Sequence, residues 1–192
     1  MSPSSATTSS AGPCRGPVSA AGTVKVPPLA AIEFVSARQG WAVGAGRILA
    51  TSDAGQAWLT QYHGPARLDQ VDFVDAKHGW AVGMGDLLAT TDGGATWTAL
   101  QEPCPVIRSV HFATPSLGYA VAGGSDVRID GGVPVPVAGG QLLVTTDGGR
   151  SWQPVPGAPA RAQTACFSSP ADGFLGTPGR IWRSTDGGRR CR

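Results

Sequence analysis

Between Gln70 and Leu100 the chain switches four times between apolar alternation and polar, glycine-bearing interruptions. Gln70-Val71-Asp72-Phe73-Val74 alternates, which puts Val71 and Phe73 on one face and predicts a short half-buried strand. Asp75-Ala76-Lys77-His78-Gly79 is polar and ends in glycine, so it predicts a turn. Trp80-Ala81-Val82-Gly83 reads as a second strand whose small residues suit a crowded axis. After a turn at Met84-Gly85-Asp86, Leu87-Leu88-Ala89-Thr90-Thr91 gives a third strand. Asp92-Gly93-Gly94-Ala95 turns once more, and Thr96-Trp97-Thr98-Ala99-Leu100 gives a fourth. Short antiparallel strands in a unit of 39 residues are the pattern of one propeller blade.

The unit recurs. Residues 34–58 and 73–97 align without a gap and share 15 of 25 identities. A third copy runs from Phe112 through Gly118-Tyr119-Ala120-Val121 to Trp152, and a fourth from Phe167 through Gly173-Phe174 to Asp186-Gly187-Gly188. The aspartates Asp53, Asp92, Asp147 and Asp186 are 39, 55 and 39 residues apart. A period near 40 in turn-rich, β-prone units predicts an array of blades. The expected organisation is a low-complexity linker over residues 1–18 and a propeller over 19–192. Its repeats lie near 31–62, 70–101, 109–156 and 164–192.

Composition supports this reading. With 28 Gly and 16 Pro in 192 residues, few windows could hold a three-turn helix, and many glycines fall at fixed repeat positions as turn residues. The expected class is all-β, in antiparallel four-stranded blades. Net charge is +2 and the arginines are scattered, which argues against a nucleic-acid surface, where basic charge is concentrated. Cys14, Cys104, Cys166 and Cys191 form no CxxC pair and have no histidine at a zinc spacing, so neither a metal nor a cofactor is expected. Cys104 and Cys166 are expected as buried or half-buried free thiols. His63, His78 and His111 read as solvated or hydrogen-bonded residues and not as ligands. No run approaches the length of a membrane span, and Met1 to Pro13 lacks the charged start and apolar stretch of a secretory signal. The compartment is therefore cytoplasmic, or exported if a signal lies upstream.

The Asp-x-Gly turns have a local rationale. An aspartate accepts hydrogen bonds from backbone N–H groups just ahead of it, and the glycine two residues on supplies a positive φ. Asp53 and Gly55, Asp92 and Gly94, Asp147 and Gly149, and Asp186 and Gly188 are expected in this structural role. Trp58, Trp97 and Trp152 are expected to be buried between blades.

Thr51-Ser52-Asp53-Ala54-Gly55-Gln56-Ala57-Trp58 resembles the Asp-box, or bacterial neuraminidase repeat, and residues 90–97 and 145–152 repeat it. With the preceding Phe-x5-Gly-Trp-Ala-Val-Gly element, the chain resembles the photosystem II stability/assembly factor family and its bacterial relatives over about residues 20–190. The resemblance implies a propeller that binds proteins and has no catalytic residues. Sialidases share the box, but their chemistry implies a tyrosine nucleophile supported by a glutamate and a three-arginine cluster. Tyr119 stands in a strand slot, Tyr62 has no glutamate near it in sequence, and Glu33 and Glu102 are the only glutamates.

Two departures matter. Cys191 stands where the fourth box would have tryptophan, so the last blade lacks its outer strand. An open arc belonging to a larger propeller is the expected form, with edges that allow self-association. Pairing of Pro17 to Val26 with the third strand of the last blade is the alternative that would close the ring. The third repeat also carries an insertion over 123–140, a candidate binding loop whose only charges are Asp126, Arg128 and Asp130. Its Val-Pro-Val-Pro run would favour an extended form able to add to a partner strand. The expected function is a non-catalytic protein-interaction or assembly module with an unidentified protein partner. The alternatives are a sialidase-like glycan-directed protein and a structural segment of a longer exported protein.

Overall fold

The computed structural model describes residues 28–83, 85–101, 107–123, 127–130, 133–136 and 140–192. The linker, the proposed closing segment Pro17 to Val26, Cys14, Cys104 and Asp126 lie outside them. Blade 1 comprises β1 (Ala31–Phe34), β2 (Gly40–Gly44), β3 (Arg47–Thr51) and β4 (Leu59–His63). Blade 2 comprises β5 (Leu68–Phe73), β6 (Gly79–Gly83), β7 (Asp86–Thr90) and β8 (Thr98–Leu100). Blade 3 holds β9 (Ile107–Phe112) and β10 (Gly118–Ala122), then the inserted pair β11 (Val127–Asp130) and β12 (Val133–Pro136), then β13 (Gln141–Thr145) and β14 (Gln153–Pro154). Blade 4 has β15 (Thr164–Phe167), β16 (Gly173–Thr177) and β17 (Arg180–Ser184).

Each blade is an antiparallel meander, and no helix occurs among the described residues. The fold is an all-β propeller of about four blades in an open arc. Packing runs from blade to blade, β1 and β2 against β5, β5 and β6 against β9, and β9 and β10 against β15. The last blade lacks its outer strand, as the missing tryptophan implied. Blade 4 is a three-stranded sheet, extended only by a bridge between Ser184 and Cys191. The Cys191 thiol takes up the missing tryptophan's contact, pointing to the Gly188 carbonyl as the Trp152 indole does to that of Gly149.

The Phe-x5-Gly-Trp element explains the packing. Phe73 pairs with Gly79 across the β5–β6 ladder, and a Cβ on Gly79 would come within 2.4–2.5 Å of the Phe73 ring. The absence of that carbon lets the ring lie flat on the neighbouring strand. Its other face receives Trp41 of blade 1, parallel to within 8° and 3.5 Å away. Trp80 stacks on Phe112 at 3.4 Å and Tyr119 on Phe167 at 3.7 Å in the same way. Interlocking aromatics of this size dominate the free energy of burial between blades.

The box tryptophans, expected to be buried between blades, are only half-buried. Trp58, Trp97 and Trp152 stand edge-on to the phenylalanine of their own blade, with centroids near 6 Å. The space between blades is already filled by the second-strand aromatics, which leaves the outer-strand tryptophans at the rim. Cys166 is a free, exposed thiol and not a half-buried one, because alternation along β15 turns Ala165 and Phe167 inward. His63 is the last residue of β4.

Candidate functional site

Three features could carry function: the box turns, the inner strands near the axis, and the inserted hairpin.

At each box the hydroxyl that ends the third strand organises the turn. Thr90 Oγ1 donates to Asp92 Oδ1 at 2.8 Å and accepts from the Gly94 amide at 2.8 Å. Asp92 Oδ1 also accepts from the Thr96 amide at 2.9 Å, and Oδ2 from the Thr96 hydroxyl at 2.7 Å. Thr51 and Asp53, Thr145 and Asp147, and Ser184 and Asp186 repeat the first of these bonds at 2.7, 2.8 and 3.0 Å. Gly94 has φ 87° and Gly149 φ 90°, the left-handed turn that glycine tolerates. Hydrogen bonding, mainly from Thr96 and Ser151, pulls the carboxyls of Asp92 and Asp147 down to about 2. Carboxylates held this firmly in the anionic form make poor general acids.

Sequence reading missed a second role for these turns. Those of blades 2 and 3 offer a backbone carbonyl to the aromatic of the preceding blade, and in blade 4 the β15–β16 turn does so instead. The Trp41 indole donates to Gly93 O at 3.3 Å and Trp80 to Gly148 O at 3.0 Å. The Tyr119 hydroxyl donates to Pro170 O at 2.9 Å. The Tyr119 hydroxyl is thus engaged, and its ring is stacked on Phe167. Burial raises the Tyr119 phenol above its usual range, which opposes formation of the phenolate. The clefts between successive blades on this face, about 410, 190 and 440 Å³, recur at equivalent positions and follow from the splay of the blades.

Near the axis, the inner strands of blades 2, 3 and 4 each present an unpaired edge, and side chains of the preceding blade bond to it. Glu33 Oε2 accepts from the Phe73 amide at 2.7 Å, and Asp72 Oδ2 from the Phe112 amide at 2.7 Å. Gln70 bonds both the amide and the carbonyl of Val110, each at 3.0 Å. His111 places Nε2 2.8 Å from Phe167 O and Nδ1 3.3 Å from Asp72 Oδ1. Both ring nitrogens face acceptors, and only the imidazolium can donate to both. The hydrogen bond to Asp72 accordingly raises the His111 pKa. Burial, followed by the charge of Asp72, raises the Glu33 carboxyl to about 7. The signal was present in sequence, since Glu33, Asp72 and His111 each precede a repeat phenylalanine, but one repeat shows no partner in the next. The described residues hold no group of three or more His, Cys, Asp or Glu side chains arranged to bind a metal ion.

The insertion forms a hairpin, β11 with β12, pairing Val127 with Pro136 through Asp130 with Val133. Arg128 and Asp130 lie on β11. The Val-Pro-Val-Pro run is extended, yet its pairing side is taken by β11, so it is not a free strand. In the β10–β13 ladder Ala122 pairs with Gln141 and Gly118 with Thr145. The hairpin therefore leaves the end of the blade opposite the Asp147 turn. It shares that face with the blade-to-blade connections, one of which leaves at His63, paired with Arg47.

The family model of the photosynthesis system II assembly factor YCF48 matches residues 23–101. The structure of YCF48 bound to D1 peptide superposes with a TM-score of 0.53 at 16% identity, covering 85% of this chain and 79% of that one. An ancestral GH74 enzyme superposes with a TM-score of 0.62 at 19% identity, over 85% of this chain and 23% of its own. The GH74 xyloglucanase from Xanthomonas campestris gives 0.57 at 16% identity, over 88% and 27%. The chain thus spans about a quarter of the GH74 enzymes and most of YCF48. No curated protein matches it in sequence. The chain is an Asp-box β-propeller resembling the photosystem II assembly factors, and the likeness to GH74 enzymes shows the shared fold alone.

Proposed function

We propose that this chain is a non-catalytic protein-interaction module of the assembly-factor kind, and that it takes an extended segment of its partner along the outer edge of β11. The observation that carries the reading is the β11–β12 hairpin, a two-stranded sheet on the face of the blade connections. Proline cannot donate a hydrogen bond, so the pairs Val127–Pro136 and Ile129–Pro134 must be the non-hydrogen-bonded pairs of the ladder. The outer edge of β12 then offers carbonyls without donors. On β11 the outward backbone groups are those of Val127 and Ile129, with both donor and acceptor. A partner strand pairs there by main-chain bonds, with side-chain pockets adding selectivity. The family match and the fold shared with YCF48, which is known bound to a D1 peptide, support the reading.

The test is selection of displayed peptides on the immobilised 192-residue chain, followed by anisotropy titration of those enriched. Ile129→Pro removes an outward donor without touching the inner pairs, so binding should be lost while the thermal midpoint holds. Failure to enrich any peptide, or equal binding by Ile129→Pro, refutes the reading. A fluorogenic sialoside should not turn over between about pH 4 and 8, because the Tyr119 hydroxyl is committed to Pro170. Turnover abolished by Tyr119→Phe would establish the glycan-directed alternative instead.

A further inference from the structure

The clefts between blades on the box face occupy equivalent positions but differ in what lines them. Ala95, Arg150 and Arg189 share one place in the repeat, directly after the second box glycine. They line the clefts between blades 1 and 2, 2 and 3, and 3 and 4 in turn. Arg150 is folded down on its own turn. Its Nη1 donates to Asp147 O at 2.8 Å and lies 3.7 Å from where a Cβ on Gly148 would stand. No atom of Arg189 comes within 4 Å of the same place on Gly187, and among the described residues its guanidinium enters no ion pair. Burial raises the Tyr119 phenol and the Arg189 charge opposes the rise, so the guanidinium reaches over the cleft toward that hydroxyl.

The cleft between blades 3 and 4 also has the more apolar walls. Where the cleft between blades 2 and 3 has His78 and Ala89, this one has Leu117 and Val144, and Pro154, Pro156 and Pro170 extend the apolar surface. No carboxylate lines it. Its volume of about 440 Å³ falls within the roughly 300–1,000 Å³ of small-molecule sites. The proline wall is fixed in place. Val155 donates to Leu142 O at 3.0 Å, and Gly157 sits where a Cβ would collide with the Arg189 carbonyl. Rings with a locked φ have little freedom left to lose when a ligand settles against them. An unpaired guanidinium beside such a wall selects a monoanion. A planar carboxylate matches its fork with two parallel bonds, and the wall removes an attached apolar body from water. A dianion such as phosphate would lose more hydration there than one arginine returns.

We propose that the cleft between blades 3 and 4 binds small carboxylic acids that carry an apolar ring, with the carboxylate on Arg189 and the ring among Leu117, Val144 and the prolines. Both walls of this cleft lie within the described residues. It opens on the face opposite the inserted hairpin, so it stands or falls apart from the peptide reading.

Calorimetry and ligand-observed NMR on the full chain test this with 2-naphthoate, the uncharged 2-naphthamide and inorganic phosphate. 2-Naphthoate should saturate one site with a Kd of about 1 mM or lower. The amide and phosphate should each bind about tenfold more weakly or less. Arg189→Gln should bring 2-naphthoate down to the level of the amide, and Arg189→Lys should keep part of the difference. Arg150→Gln should change nothing. Thr146→Trp, an exposed substitution at the cleft, should exclude both aromatic probes with the thermal midpoint unchanged. No saturable binding of 2-naphthoate overturns the proposal, as does equal binding of acid and amide. Affinity that survives both Arg189→Gln and Thr146→Trp would place the ligand elsewhere and overturns it too. Phosphate bound through Arg189 as tightly as 2-naphthoate would make the cleft a plain anion site, with no part for its apolar walls, and refutes the reading.

Discussion

Replacing Trp80 and Trp97 one at a time by alanine separates two tryptophans that the repeat makes look alike in weight. Trp80 is 3% exposed, lies parallel to Phe112 at 3.4 Å, and donates to Gly148 O at 3.0 Å. Emptying such a site costs about 3–5 kcal/mol, since the residues packed around it relax only partly into the gap. Loss of this part-buried hydrogen bond adds about 1 kcal/mol. Trp97 is half-buried, touches Phe73 edge-on at 5.9 Å, and buries an indole N–H that has no partner. Its removal forfeits less apolar contact and relieves an unsatisfied donor, so about 1–3 kcal/mol is expected. Urea unfolding followed by circular dichroism should place Trp80→Ala below Trp97→Ala by about 2 kcal/mol, with similar slopes. Trp97→Phe should be close to neutral. If Trp97→Ala proves as costly as Trp80→Ala, the outer tryptophans and not the second-strand aromatics are the keystones, and the packing argument fails. Domains are stable by only about 5–15 kcal/mol, so Trp80→Phe is the fallback if the alanine variant does not fold.

Stability should depend on pH through the axis. Glu33 has its folded carboxyl raised from 4.5 to about 7, so the stability it contributes is complete below about 4.5 and is lost as pH rises through about 7. His111, also raised, loses its contribution in the same direction as pH rises through its folded value. After discount for the solvent that still reaches Glu33, its share is about 1–2 kcal/mol; Glu33→Gln should keep the bond to Phe73 and flatten the pH profile of the thermal midpoint between pH 5 and 8. A profile as steep as that of the wild type would remove Glu33 from the account. Gly79→Ala should destabilise by about 1–3 kcal/mol, because Phe73 is held against the new methyl by Trp41; a neutral result in the urea assay would show that the ring can move. The Asp147 side chain should titrate near 2 by NMR, with its turn intact above the ordinary 3.8 and weakening as pH falls through 2. A midpoint at the ordinary value would mean that the bonds to Thr145 and Ser151 do not form in solution.

The sequence alone determined the repeat, its strands and its turns. These rest on local rules: apolar alternation of period two, glycine where φ must be positive, and a Thr-x-Asp-x-Gly stretch that closes its own hydrogen bonds within six residues. Such features are complete inside one repeat, so one repeat discloses them. What only the tertiary structure decided is every relation between repeats. Trp80 and Trp97 are equally apolar in sequence, but beside the next blade's phenylalanine the wedge between blades holds one further ring, and the second strand supplies it. Glu33, Asp72 and His111 read as ordinary first-strand polar residues until the next blade brings an unpaired amide or carbonyl to each. Val133–Pro136 reads as a strand awaiting a partner, and its chain neighbour had already taken its donors.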